Sequence, residues 1–84
     1  MDKKQFVASL CAILGTLADC PEGCPESTLY IAVGMDMSVW SPIRNALVTD
    51  GFITVARNHW VTPTPKGIDA GKRLNAALDA AKNN

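Results

Sequence analysis

Three cysteines, one histidine and a scatter of carboxylates are the side chains here with the chemistry to bind a metal, exchange a disulfide or move a proton. Cys20 and Cys24 flank a Pro-Glu-Gly stretch, a C-x3-C spacing compatible with half a zinc site, a disulfide or a redox pair. Zinc requires four ligands, and only Cys11 and His59 are left to supply the rest, neither beside the loop in sequence. The expectation is a reduced pair without metal. Cys11, inside an apolar run, is expected to act as a small buried hydrophobe. A single histidine gives no nucleophile–base–acid triad. Glycine-rich phosphate loops and paired-histidine metal motifs are missing, and the acids read mostly as helix caps and helix ends. Neither catalysis nor a cofactor is expected.

Eight basic and eight acidic residues cancel, which removes the simplest argument for attraction to a polyanion. Their distribution is uneven. Asp19, Glu22, Glu26 and Asp36 occupy residues 19–36 without a base, whereas residues 37–68 hold Arg44, Arg57 and Lys66 against Asp50, with His59 beside them. A chain of 84 residues, 48% hydrophobic, predicts one globular domain over 1–84. Aromatics are only 6%, so Ala, Leu, Val and Ile must do most of the packing. Lys3 and Lys4 ahead of an apolar run have the order of a secretion signal, and residues 17–20 resemble a degraded lipobox. Asp19, immediately before Cys20, violates the small-residue rule for cleavage. The run is also far short of the ~20 residues a membrane span needs, so a cytoplasmic protein without membrane association is expected.

The elements that position these residues follow from spacing. Phe6, Val7, Leu10, Ile13, Leu14 and Leu17 recur at helical steps, and Asp19, Pro21 and Gly23 stop that helix. A shorter helix is predicted from near Pro25, with Glu26 complementing its macrodipole and Leu29, Ala32 and Val33 as its core face. Gly34 suits the left-handed residue that ends it. Asp36 and Ser38 are candidate caps for a third helix reaching about Asp50, with Val39, Ile43, Ala46 and Leu47 buried. Pro42 either delays its start to Ser41 or removes one backbone bond. Residues 52–56 and 60–62 predict two strands, joined tightly by Arg57, Asn58 and His59, with Asn58 suited to positive φ. Thr64 then caps a last helix that opens at Pro65, carries Ile68, Gly71, Leu74, Ala77, Leu78 and Ala81 on one stripe, and frays over residues 82–84. The expected class is mainly α with a small β-hairpin.

A helix-turn-helix needs two crossing helices joined by a few residues, usually including a glycine. Residues 29–43 fit, with Leu29, Val33, Met35, Val39 and Ile43 apolar where the helices must touch and Gly34 at the turn. Val39, Ile43, Leu47 and Gly51 at four-residue steps, followed by Phe52 and Ile53, are similar to the recognition helix and wing strand of winged-helix regulators of the MarR and PadR kind. Pro63, Thr64, Pro65, Lys66 and Gly67 resemble the Leu-Thr-Pro-x-Gly element of those families, and the resemblance extends from about Phe6 to Leu78. It implies a winged helix-turn-helix: a three-helix core, a wing hairpin and a C-terminal helix.

The same resemblance implies sequence-specific duplex-DNA binding by a transcriptional regulator. The third helix would lie in the major groove and the wing on the phosphate backbone. Carried over by position, Ser38, Trp40, Ser41, Arg44 and Asn45 are the expected readers, with Arg44 matched to guanine and Asn45 to adenine. Arg57, Asn58 and His59 are the expected wing contacts, and Lys66 is a further phosphate candidate. Pairing of the first and last helices between subunits would give a homodimer addressing half-sites about one helical turn apart. The chain departs from the family in a shorter, less basic wing, and in Glu22 and Glu26, which would repel phosphates if their end of the second helix faced the backbone. Each candidate has a plainer reading: Arg44 and Asn45 as a solvated face, Trp40 and Trp60 as packing, His59 as a surface turn residue, Lys72 and Arg73 as the solvent side of the last helix. The alternative function is a winged-helix protein–protein interaction module without DNA binding, for which zero net charge is natural.

Overall fold

The first apolar stripe folds as α1 (Lys3–Ala18) in a computed structural model that describes residues 3–82. After a turn at residues 19–23, two residues form a short strand, β1 (Cys24–Pro25), and lead directly into α2 (Glu26–Ala32). Helix α3 (Met37–Thr49) follows, then β2 (Ile53–Val55), β3 (Trp60–Pro63) and α4 (Pro65–Lys82). The protein is thus mainly helical with a small antiparallel sheet. Of the fraying expected over residues 82–84, Lys82 is instead the last residue of α4, and residues 83 and 84 lie outside the described residues.

The sheet has three strands rather than the expected two, in the order β1-β3-β2. Val55 faces Val61 across the hairpin, and Cys24 faces the same Val61 from the other side, so β3 is the central strand. Strand β1 is invisible to a period-two pattern because two residues cannot alternate; its partner is nearly forty residues away, and only the folded chain defines it.

Local chemistry explains the helix ends. The Asp36 carboxylate accepts the Val39 N–H at 3.1 Å and so caps α3. Pro42 sits within the helix, which starts at Met37, so the outcome there is one missing backbone donor and no delayed start. Helices α2 and α3 close alike. Gly34 and Gly51 take φ of 78°, and the next residues, Met35 and Phe52, donate back to the Tyr30 and Leu47 carbonyls. Both are Schellman caps, which need a left-handed residue that glycine adopts without Cβ strain. Thr64 caps α4 by accepting the Gly67 N–H at 3.1 Å.

The core joins Ile13, Leu14 and Leu17 of α1, Leu29 of α2, Trp40, Ile43 and Leu47 of α3, Ile53 of β2 and Val61 of β3. Helix α4 closes over α1. Gly71 lies against the Leu14 carbonyl, and Asn75 Nδ2 donates to the Gly15 carbonyl at 3.2 Å. Much of the apolar surface on the two terminal helices is therefore used within the chain, although Val7 and Leu78 remain about half exposed. Among the described residues, no helix is long and apolar enough to cross a membrane.

Candidate functional site

An acid in the first turn of a helix ordinarily points to solvent and complements the macrodipole. Glu26 opens α2, yet it is 2% exposed. Its Oε1 accepts the Trp40 indole N–H at 2.7 Å and an Arg44 guanidinium N–H at 3.0 Å, and its Oε2 lies 2.7 Å from His59 Nδ1. Trp40 and Arg44 stand one turn apart on α3, so a single stripe of that helix delivers both donors. The main chain is tied at the same point, where the Glu26 N–H donates to the His59 carbonyl at 2.8 Å. One residue thus fastens α2, α3 and the hairpin tip.

Burial pushes the Glu26 pKa upward and is the largest single influence on it. The hydrogen bonds from Trp40, His59 and Arg44, with the Arg44 charge, together prevail and hold the carboxyl below its ordinary value. A buried carboxylate is tolerated only when matched in this way. Among the described residues, no buried side-chain nitrogen or oxygen lacks a hydrogen-bond partner.

The hairpin tip carries a conformational signature of the same contact. The sequence points to Asn58 for positive φ, but His59 adopts it, at 63°. The Ala56 carbonyl accepts the His59 N–H at 3.0 Å, closing a turn over Arg57 and Asn58 and leaving the next residue left-handed. Glycine is the usual occupant of such a position. His59 is held there by its two contacts with Glu26, while its side chain stays 76% exposed, as the reading of it as a surface turn residue has it.

Between α3 and the hairpin lies an open cleft lined by Arg44, Asn45, Val48, Arg57 and His59, with Glu26 inside it. Four of the sequence-expected contact residues are therefore brought together. Asn45 and Arg57 are exposed, whereas Arg44 is 29% exposed and ion-paired. The remaining candidates are placed elsewhere. Trp40, expected as a reader, is fully buried, stacked on Tyr30 at a centroid distance of 6.3 Å, and is a core residue that presents nothing to a groove. Ser38 is exposed but donates to the Asp36 carboxylate at 2.6 Å, and Ser41 is half-buried. Asn58 is exposed beside Met37 and Tyr30, across the hairpin tip from the cleft. Lys66 donates to the Asp50 carbonyl at 2.8 Å and lies 4.7 Å from the Phe52 ring, closing the C-terminal end of α3.

Sequence reasoning missed the role of Glu26. The available signal was the spacing of Trp40 and Arg44, two donors on one helical stripe that must point at some acceptor. Cys11, Cys20 and Cys24 are all free thiols. Cys20 donates to Glu22 Oε1 at 3.2 Å, and the described residues contain no group of three or more His, Cys, Asp or Glu able to hold a metal. Trp60 is 38% exposed, its indole donating to the Glu22 carbonyl at 3.2 Å. Comparison with known proteins finds no matching family model, no matching curated protein and no matching solved structure.

Proposed function

We propose that this chain is a winged helix-turn-helix domain that binds duplex DNA as a cytoplasmic transcriptional regulator. In this reading α2 and α3 are the helix-turn-helix, β2 and β3 the wing, and α3 the helix that enters the major groove. The element order and the β1-β3-β2 sheet support it. The observation that carries the DNA reading is the α3–hairpin cleft, which gathers Asn45 and Arg57 on one surface. Glu26, the acid lining that cleft, is already matched internally and offers no free charge to repel phosphates. Asn45 is the base reader and Arg57 the phosphate contact. Exposed Val7 on α1 and Leu78 on α4 support a homodimer through the terminal helices, which sedimentation at micromolar concentration tests.

The test is fluorescence anisotropy of labelled random duplex DNA at about 50 and 200 mM salt, where phosphate-driven affinity falls steeply. Micromolar binding that weakens with salt and is reduced by Arg57→Ala supports the proposal. Absence of binding at the lower salt overturns it in favour of a protein-binding module. The observation favouring that second reading is the exposure of Ile31 on α2 and Met37 at the start of α3, at 66% and 50%.

A further inference from the structure

A cation that already has a buried carboxylate as partner is not equivalent to a free cation when a polyanion approaches. Resting on the DNA-binding reading of the α3–hairpin cleft, we propose that Glu26 is an internal counter-anion that takes the place of a phosphate at Arg44. Arg44 then fastens α3 to α2 and adds no net charge contact to the nucleic acid.

The geometry gives three reasons. The Arg44–Glu26 pair is short, at 3.0 Å, and the acid's side chain is only 3% exposed. Were Arg44 to leave for a phosphate, a carboxylate would remain buried with its charge partner gone, a far more costly change than opening an exposed pair. Nor can Glu26 follow Arg44 outward. Trp40 holds one carboxylate oxygen, His59 lies against the other, and the Glu26 N–H is bound to the His59 carbonyl. Arg57, in contrast, has no acidic partner among the described residues and lines the same cleft. Two arginines that look alike in sequence are therefore unequal: one is neutralised from inside, the other is free to displace a counterion from DNA.

Counterion release makes the difference measurable, because each phosphate neutralised contributes about −0.9 to the slope of log affinity against log salt. The experiment measures that slope on one random duplex for the wild-type chain and for R57Q, R44Q and E26Q, with circular dichroism confirming that each is folded. R57Q makes the slope shallower by about 0.9, whereas R44Q loosens the cluster and weakens binding at every salt without changing the slope. E26Q frees a positive charge and steepens the slope, so a fourfold rise in salt weakens it about 3.5-fold more than wild type. A slope lost in R44Q as in R57Q overturns the proposal, as does an unchanged slope in folded E26Q. Should E26Q fail to fold, R44Q decides alone. If wild type does not bind but E26Q does, the counter-anion stands and the DNA-binding reading of the native chain falls. Binding by neither overturns both.

Discussion

The Trp40 indole nitrogen and the Glu26 carboxylate meet at 2.7 Å with both residues shut away from solvent, so the largest side chain of the core also carries a polar contact to the site. That pairing makes packing and surface charge interdependent: whatever disturbs the core at Trp40 alters the acid that holds Arg44 and the hairpin tip.

Trp40→Phe tests the contact directly. Phenylalanine keeps an aromatic ring beside Tyr30 but removes the N–H and part of the buried ring, leaving a carboxylate short of one donor and a small cavity beside it. Hydrogen bonds to charged groups are worth about 1.5–3 kcal/mol. A loss of about 2 kcal/mol in urea unfolding is expected, and an unchanged midpoint would mean that the bond adds nothing to stability.

Acid should unfold the protein through its matched carboxylates. The pKa of Glu26 is lowered despite burial, that of Asp36 by hydrogen bonds from the Ser38 hydroxyl and the Val39 N–H, and that of Glu22 by its own backbone N–H and the Cys20 thiol. A carboxyl whose folded pKa lies below its unfolded one contributes stability above the unfolded value, about 4.3 for Glu and 3.9 for Asp. That contribution is lost as the pH falls through the folded value. Urea midpoints should therefore be level from pH 5 to 7 and drop below about pH 4. Glu26→Gln should be less stable at pH 7 but lose less on acidification.

Gly71→Ala sets helix propensity against space. Alanine in mid-helix is favoured over glycine by about 1 kcal/mol. A Cβ at this position would press into the Leu14 carbonyl and come within 2.8 Å of the Ala18 Cβ, forcing α1 and α4 apart. Overpacking of this kind costs about 1–3 kcal/mol, and backbone yields less readily than a side chain. The variant should melt at a lower temperature than wild type; a higher melting temperature would show that the helices separate easily.

On the proposed DNA reading, Asn45→Ala and Arg57→Ala should separate specificity from affinity. Loss of a bidentate base contact costs about 1–3 kcal/mol at its site and little on random DNA. Loss of a phosphate contact weakens all sequences alike. Anisotropy with a selected site and a scrambled one distinguishes them, and equal effects of the two variants on both duplexes would remove Asn45 as a reader.

Cys20 and Cys24 should react slowly with alkylating agents at neutral pH. The hydrogen bond from Cys20 to Glu22 favours its protonated form, with burial and the Glu22 charge acting the same way. Burial and then the Glu22 charge push Cys24 up. Thiolate is the nucleophile, so iodoacetamide labelling should be slower than for a free thiol, and Glu22→Gln should speed it. Labelling at the free-thiol rate would contradict this.

The sequence by itself determined the helices, their caps and the hairpin, because these rest on interactions within a few residues. Helical spacing marks α1 and α3, Gly34 and Gly51 end their helices through left-handed geometry, and Thr64 with Pro65 opens α4. It also marked the α3 and hairpin-tip residues that come to line one cleft. Only the tertiary structure decided which of them are free. Strand β1, the partner of His59 and the burial of Glu26 all depend on contacts between residues far apart in the chain. An isolated Glu at a helix start reads as a solvated acid. Its inward turn exists only because α3 and the hairpin bring an indole, a guanidinium and an imidazole to the same place, where they outweigh the cost of removing the charge from water.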